Sequence, residues 1–560
     1  VALLLVAVAA GYGTCLVDVP LMRAEALYAL IPLEMLCSGD WLTPTLFGVP
    51  YLDKPPLFYW LQGLALWAWG AGETTARLVN LGLALGEVWL TYRLGGLLLE
   101  PRAAWLGACA LAASLGFFVF HLELLADHLI TCWLLASICL WLKWLTRPGL
   151  ALELGFFACL AGGFLSKGGI GLVFPLAIAG LGTLAARRPA GLALLGSLRG
   201  WALLGLILLP WLVVMELEHP GFFHHQVINE QLRRFLGQRH PPDIHPFSLG
   251  AFWLLFALWL LPWTPLLPGA LARFAREEAA RASAEPWRRV LLVWPAVVLG
   301  FFSLSASRVE YYSLPALPPL ALVAGWRLER GLTTPNDGAL AWSLLTLAAA
   351  AALPLVFLPN LEGLLAANRR EFLGLSEALA PLVPLALAVL AGWGLAGGIA
   401  GLTCPRLAVV CYFGLALSLL TFSHQAILVL SPRLSDRLPG EWLRHHLQPE
   451  DVVVMETVEE LEYAASLAFY AGRRAHIVVR GGLPQFPRAV TPEQSYLITP
   501  ERLAELWRGS NRVYLLVDES AEPAEPWRQA LPVWATAGKY LLTNRPWVSP
   551  APAPSGAAPP

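Results

Sequence analysis

Residues 50–60 read Pro50-Tyr51-Leu52-Asp53-Lys54-Pro55-Pro56-Leu57-Phe58-Tyr59-Trp60. An acid, a base, adjacent prolines and four aromatics crowd a loop between strongly apolar segments. Proline drives the residue before it toward extended backbone, so Pro55 and Pro56 restrict Lys54 and fix where its ammonium points. Tyr51, Phe58, Tyr59 and Trp60 are residue types that settle at a membrane–water interface. A rigid cation at that boundary suits a lipid phosphate. The plain alternative is a lysine that snorkels from an interfacial loop.

The surrounding chain explains why a membrane is invoked. Its 560 residues are 57% hydrophobic and 14% charged, with a mean hydropathy of +0.60. Soluble domains carry roughly a quarter charged residues. Apolar runs of about twenty residues, long enough to cross a bilayer, recur along the chain. Spans are expected near 1–17, 75–98, 104–120, 127–146, 150–165, 169–186, 200–217, 248–268, 288–304, 311–326, 340–358, 380–402 and 407–430. That makes an α-helical polytopic membrane protein of about thirteen spans. The opening run at Val1 reads as the first span rather than a cleaved signal. Residues 54–70 are short and follow the Lys-Pro-Pro turn, so an interfacial helix is expected there. No basic stripe marks a nucleic-acid partner. The eight cysteines form no CxxC pair and mostly lie in apolar runs, where Cys is a small hydrophobe.

With the N-terminus cytoplasmic, Arg93, Arg102, Lys143, Arg147, Arg187, Arg188 and the Arg273–Arg289 group fall in cytoplasmic loops, a positive-inside pattern. The motif-bearing loops, 18–74 among them, then face away from the cytoplasm. Residues 1–430 form the membrane domain. From Ser431 hydropathy falls, and strand-like runs at 451–455, 475–479 and 512–517 alternate with helical patterns at about 457–471 and 499–508. Residues 431–548 are therefore expected to form a small extracytoplasmic α/β domain, followed by a disordered Pro/Ala-rich tail, 549–560.

Several further residues carry chemistry. Glu25 opens an amphipathic stretch, 24–38; a solvated first-turn acid is the alternative. Asp127 has Glu123 four positions earlier, and two acids on one helical face would favour a general base. Lys167 stands before Gly168 and Gly169, which would let a phosphate approach backbone amides; a helix-ending turn is the alternative. His224 and His225 are adjacent and support a metal only weakly. Arg233 or Arg234 could grip phosphate through a fork of donors. Arg308 lies outside against the positive-inside trend, so an anionic ligand or a pair with Glu310 is expected to hold it.

These residues resemble the bacterial membrane glycosyltransferases related to protein O-mannosyltransferases and lipid A aminoarabinose transferases, which are GT-C-type enzymes. The likeness runs through Glu25-Ala-Leu-Tyr-Ala29, Glu34-Met-Leu-Cys-Ser-Gly-Asp-Trp41, Asp53-Lys-Pro-Pro56, Tyr59-Trp60, Asp127, Ser166-Lys-Gly168, Arg234-Phe235, Pro262-Trp263 and Ser307-Arg308 with Tyr312 and Pro315. It implies a GT-C-like fold in a bacterial inner membrane, with the C-terminal domain periplasmic. It also implies an undecaprenyl-phosphate sugar donor and a glycolipid or protein acceptor, joined by one inverting displacement. Glu25 and Asp127 become the catalytic carboxylates. Lys54, Tyr59, Lys167, Arg234, Arg308 and Tyr312 become the phosphate and substrate group. No cofactor is required, although related aminoarabinose transferases suggest a divalent metal held by an acid at the Asp53 position. Two departures stand out: Ala24 occupies the place of the family's catalytic Asp, and Leu27 that of a nearby Arg. Either Glu25 or Asp127 substitutes, or the acceptor is acidic enough to need little help, or the chain is a decayed relative that binds or moves such lipids.

Overall fold

A computed structural model describes residues 1–240, 246–280, 286–334, 338–366, 378–456, 464–478, 496–518, 530–536 and 539–546. The chain divides into two compact units, one of Val1–Pro20, Ile31–Pro44 and Pro50–Leu430, the other of Leu21–Leu30, Thr45–Val49 and Ser431 onward.

The first unit is helical. It opens with α1 (Ala2–Asp18), α3 (Leu57–Trp69), α4 (Glu73–Leu98), α5 (Pro101–Ala112), α6 (Leu115–Leu122), α7 (Ala126–Thr146), α8 (Leu150–Lys167) and α9 (Ile170–Ala186), and α2 (Arg23–Ser38) runs between the two units' segments. Among the described residues six helices are long and apolar enough to cross a bilayer: α7, α8, Leu198–Glu218, Pro286–Leu304, Leu382–Gly401 and Pro405–Leu434. A seventh forms if α5 and α6, bent by 50° at their junction, act as one span. Every segment expected to span contains helix, but three are shorter than a bilayer needs: Ala2–Asp18, Ile170–Ala186 and Leu249–Trp259. The run expected at 248–268 stops at Trp259 because Pro262, Pro265 and Pro268 cannot continue it. The run expected at 311–326 begins as a 3₁₀ turn, Glu310–Ala316, and becomes α-helical only at Leu317. The helix α3 has thirteen residues, roughly 20 Å of length, short of the hydrocarbon core. Its Trp67 and Trp69 are 74% and 70% exposed.

Several polar groups inside this unit find partners, as a membrane interior favours. At the α5–α6 break, Trp263 Nε1 donates to Ala110 O at 2.9 Å, and Leu115 N donates to Leu261 O at 3.0 Å. Arg77 on α4 is fully buried and donates to three carbonyls, those of Leu122 at 3.1 Å, Pro20 at 2.9 Å and Val19. Where two helices cross closely the residues are small. A Cβ on Gly171 of α9 would stand 2.1 Å from the Gly163 carbonyl carbon of α8, and one on Gly325 would stand 2.1 Å from Gly107 N.

The second unit carries the expected α/β pattern. Its strands are β3 (Val452–Glu456), β4 (His476–Val478), β5 (Leu497–Ile498), β6 (Val513–Asp518), β7 (Leu531–Thr536) and β8 (Lys539–Thr543), after a hairpin of β1 (Thr45–Leu46) and β2 (Val49–Pro50). The sheet order is β5-β4-β3-β6-β8-β7, parallel from β5 to β6 and antiparallel at the β8–β7 edge. The core is Val454, Val478, Ile498, Leu503, Val513 and Leu515. Its boundary differs from the expected 431–548, because two pieces of the first loop belong to it. Leu21 N donates to Tyr470 Oη at 2.6 Å, and Ser435 Oγ donates to Leu21 O at 2.7 Å. Burial of Lys539 against Asp436 at 2.8 Å ties the last strand to residues just past 430. Helical residues expected at 457–463 and the tail 549–560 lie outside the described residues.

Gly171→Ala should destabilise the full chain by about 1–3 kcal/mol, because backbone must move to admit the methyl. Gly180→Ala, with nothing within 4 Å of its added Cβ, should be neutral or stabilising by up to about 1 kcal/mol. Thermal unfolding in detergent compares the two; equal shifts would contradict the close α8–α9 crossing.

Candidate active site

The Pro55-Pro56 pair ends the loop and starts α3, so Lys54 is held one residue short of a rigid turn. Facing it is a π-helix, His224–Arg233, whose inner side buries Gln226, Asn229 and Glu230. The wide turn of a π-helix re-aims side chains away from 3.6-residue spacing and recurs at functional sites.

Two carboxylates organise the cluster. Glu230, whose side chain is 1% exposed, accepts from Arg239 Nε at 2.6 Å and from Arg234 Nη1 at 3.1 Å. Asp53 accepts from Arg239 Nη2 at 2.7 Å, and its other oxygen lies 2.9 Å from His225 Nε2. Lys54 Nζ stands 4.0 Å from Glu230 Oε2, its one ion-pair contact among the described residues and beyond hydrogen-bond reach. Lys54, Arg234 and Arg239 thus face two carboxylates, and among the described residues the Lys54 donors make no hydrogen bond. Burial and the neighbouring charges of Arg234 and Lys167 push the Lys54 ammonium down to about 8, against the opposing pull of Glu230 and Asp53. Burial alone would raise the Asp53 carboxyl; the His225 hydrogen bond and the charges of Arg239 and Lys54 outweigh it and hold Asp53 well below the usual carboxylate range.

Asp127 and Lys167 form a direct ion pair between α7 and the last residue of α8. The Lys167 ammonium also lies 4.6 Å over the Tyr312 ring and 5.1 Å over Tyr311. This corrects two expectations. Glu123 is not on a helical face with Asp127, because α7 begins at Ala126 and Glu123 sits in the preceding loop. The Gly168-Gly169 turn does not offer its amides to a phosphate. Gly168 N donates to Phe164 O at 2.7 Å, and Gly169 N donates to Gln231 Oε1 at 3.1 Å. Gly168, at φ +77°, lets Gln231 approach where a Cβ would stand 2.6 Å from its amide nitrogen. The turn therefore docks the π-helix.

The remaining candidates are distributed. Tyr59 is buried on α3 and Tyr312 is buried under Lys167. Arg308 is committed to the loops: it donates through Nε to Phe247 O at 3.0 Å and through Nη1 to Ser305 O. It replaces neither Arg234 nor Arg239, and the expected pair with Glu310 is not among its contacts in the described residues. Glu25, in the other compact unit, is 3% exposed and accepts from Met22 N at 2.8 Å, so it is not the solvated acid of the plain alternative.

Asp53, His225 and Glu230 each place a donor atom within 4.8 Å of the others, and a divalent ion here would rest on them. His225 supplies the histidine that spacing alone left unmatched. Both carboxylates already accept from Arg239, however, so an ion would have to displace that guanidinium. Glu230 and Arg239 were not singled out from the sequence, and His225 was weighed there only as a weak metal ligand beside His224. The 230/234 spacing of Glu and Arg was the available signal, but the π-helical register was not.

The helical membrane architecture with this cation-rich loop cluster is that of a GT-C-type protein. Residues 53–213 match the family model described as dolichyl-phosphate-mannose-protein mannosyltransferase. The chain is 30% identical to the undecaprenyl phosphate-α-4-amino-4-deoxy-L-arabinose arabinosyl transferase of Erwinia tasmaniensis over 70% of each chain. It is 29% identical to the transferase of the same name from Yersinia enterocolitica, over 53% of each. The alignments with several such curated relatives span about half of their length. The crystal structure of ArnT from Cupriavidus metallidurans in the apo state superposes with a TM-score of 0.79 at 21% identity, over 97% of this chain and 98% of that one. The same protein bound to undecaprenyl phosphate gives 0.78 at 20% identity, with the same coverage. The chain belongs to the undecaprenyl phosphate-α-4-amino-4-deoxy-L-arabinose arabinosyl transferase family.

Asp53→Asn should cost about 2 kcal/mol at pH 7, because it weakens the hold on a half-buried guanidinium. A carboxyl whose folded pKa is depressed stabilises the fold above its unfolded value and loses that contribution as pH falls through the folded one. The gap between wild type and variant should therefore close as pH drops below about 4. Unfolding midpoints from pH 3 to 7 measure it; a gap independent of pH would contradict the pairing.

Proposed function

We propose that this chain is a membrane glycosyltransferase that moves a sugar of the aminoarabinose type from undecaprenyl phosphate to an extracytoplasmic acceptor, with lipid A preferred. The observation that carries the reading is Lys54, a half-buried ammonium beside Arg234 that makes no hydrogen bond among the described residues.

In this mechanism an acceptor oxygen attacks the anomeric carbon and forms the new C–O bond. The bond to the phosphate oxygen breaks, and undecaprenyl phosphate leaves with the electron pair. Configuration at the anomeric carbon inverts. The leaving phosphate gains negative charge as the bond lengthens, and Lys54 with Arg234 stabilises it, an interaction stronger in the transition state than in the ground state. Asp53 and Glu230 keep those cations aimed. The acceptor proton is assigned to Asp127, which is paired with Lys167. A phosphate acceptor, itself acidic, needs little help from a base, and this is why lipid A is favoured over a protein hydroxyl. Asp53, His225 and Glu230 are the residues that would hold a divalent ion, and no step depends on one. The active face is assigned to the periplasmic side of a bacterial inner membrane.

Lys54→Ala should lower transfer from a radiolabelled undecaprenyl-phosphate sugar by at least about 100-fold in isolated membranes. An unchanged rate would refute the assignment. A wild type that binds the lipid without transfer would favour the decayed relative suggested by Ala24.

The pH dependence of lipid binding follows from the Lys54 value. Lysine is cationic below its pKa, so binding of undecaprenyl phosphate should be full below about 8 and weaken as pH rises above it. Bound phosphate favours the ammonium and moves the loss somewhat higher. Lys54→Arg should flatten the profile, because guanidinium stays charged. Equilibrium binding from pH 7 to 10 tests this; parallel profiles would remove Lys54 from the phosphate site.

A further inference from the structure

Close to Asp127 in sequence lies a second cluster of ionisable side chains that the phosphate chemistry does not use. Glu87 of α4, His121 of α6 and His128 of α7 are 0%, 1% and 0% exposed. His128 Nδ1 lies 2.9 Å from Glu87 Oε1, and His121 Nε2 addresses the same oxygen from 3.5 Å. The two imidazoles are stacked, with ring centres 3.4 Å apart and planes 34° apart. Around them stand Tyr12 of α1, its ring 6.2 Å from His121, and Cys132, which donates to Leu83 O at 3.6 Å.

Hydrogen-bond logic assigns the hydrogens. His121 Nδ1 is 2.6 Å from Phe117 O, and a carbonyl can only accept, so that nitrogen carries hydrogen. In the neutral ring Nε2 then presents a lone pair to Glu87 Oε1. A carboxylate lone pair there would repel it. A hydrogen on Oε1 reverses the sign: the hydroxyl points toward His121 Nε2, 3.5 Å away and beyond close hydrogen-bond reach, and accepts from His128 Nδ1–H. Glu87 Oε2, His121 Nε2 and His128 Nε2 have no hydrogen-bond partner among the described residues. All three side chains are neutral in this arrangement, as an apolar interior favours.

A metal ion would make a different geometry. Two imidazoles on one tetrahedral ion have ring centres roughly 5 Å apart, from the zinc–nitrogen bond length and the tetrahedral angle. The observed stack is too close for both nitrogens to face one ion.

We propose that Glu87 is a positioning residue for Asp127: by bonding His128, the next residue, it fixes the first turn of α7 from which Asp127 meets Lys167. The hub joins α4, α6 and α7, and its kinetic consequence rests on the transferase reading above.

Glu87→Gln and Glu87→Ala in the full chain test it. The glutamine amide nitrogen, placed where Oε1 stands, can donate toward both rings once His128 carries its hydrogen on Nε2, so Glu87→Gln should hold the unfolding midpoint and transfer within about threefold of wild type. Glu87→Ala should lower kcat by about tenfold or more while KM for the lipid donor stays within about twofold. Glu87→Gln as damaged as Glu87→Ala, or kcat unchanged in Glu87→Ala, would overturn the proposal. So would stoichiometric zinc in the purified wild type that is lost in Glu87→Ala. If the wild type shows no transfer, the transferase reading fails and the hub is decided by nitrogen-15 NMR of histidine-labelled protein in bilayers. A neutral His121 protonated at Nδ1, perturbed in Glu87→Ala, sustains it; an imidazolium at His121 or His128 overturns it.

Discussion

The site depends on two carboxylates holding three cations in place. Asp53 and Glu230 come from distant parts of the chain, and Arg239 bridges them with bonds of 2.7 and 2.6 Å. Like charges do not gather without such counter-ions, because the repulsion between Lys54 and Arg234 would drive them apart or discharge the lysine. Glu230 fixes Arg234 and Arg239, and Asp53 fixes Arg239 and His225. Among the described residues, Lys54 has Glu230 at 4.0 Å as its ion-pair contact and no closer acceptor. A site meant to release an anionic product needs such a division, with some cations locked to define the geometry and one free to follow the charge.

The helical scaffold delivers these residues by close packing. The α8–α9 crossing is built on Gly163 and Gly171, so the turn carrying Lys167 is short and stiff. Gly168 then admits Gln231 and seats the π-helix that carries His225 and Glu230. Arg77 fastens the start of α4 to the carbonyls of Val19, Pro20 and Leu122. Each contact places a polar group where no water is available to replace it, so loss of one partner leaves another unmet.

Much of this was legible in the sequence, for stated reasons. Lys54 announced itself through two prolines, Lys167 through its glycines and Arg234 through its loop. The helices followed from apolar runs. Other parts were hidden by register. Glu123 and Asp127 have helical spacing, but the helix starts between them at Ala126. His225 and Glu230 are carried on a π-helix, which no 3.6-residue pattern anticipates, and Arg239 meets them from the loop that follows. Arg308 looked misplaced and ligand-seeking, yet its guanidinium staples Phe247 and Ser305. Glu25 and its neighbours belong to the unit built around the C-terminal sheet, a long-range association that local pattern does not encode.

The central claim is that one lipid phosphate is gripped where Lys54 and Arg234 converge. A cryo-EM structure of the full chain in lipid nanodiscs with undecaprenyl phosphate tests it most directly. The account predicts phosphate density within about 3 Å of Lys54 Nζ and in reach of the Arg234 fork, with the Arg239 bridge intact. Phosphate density seated elsewhere, with Lys54 still turned to Glu230, would contradict it.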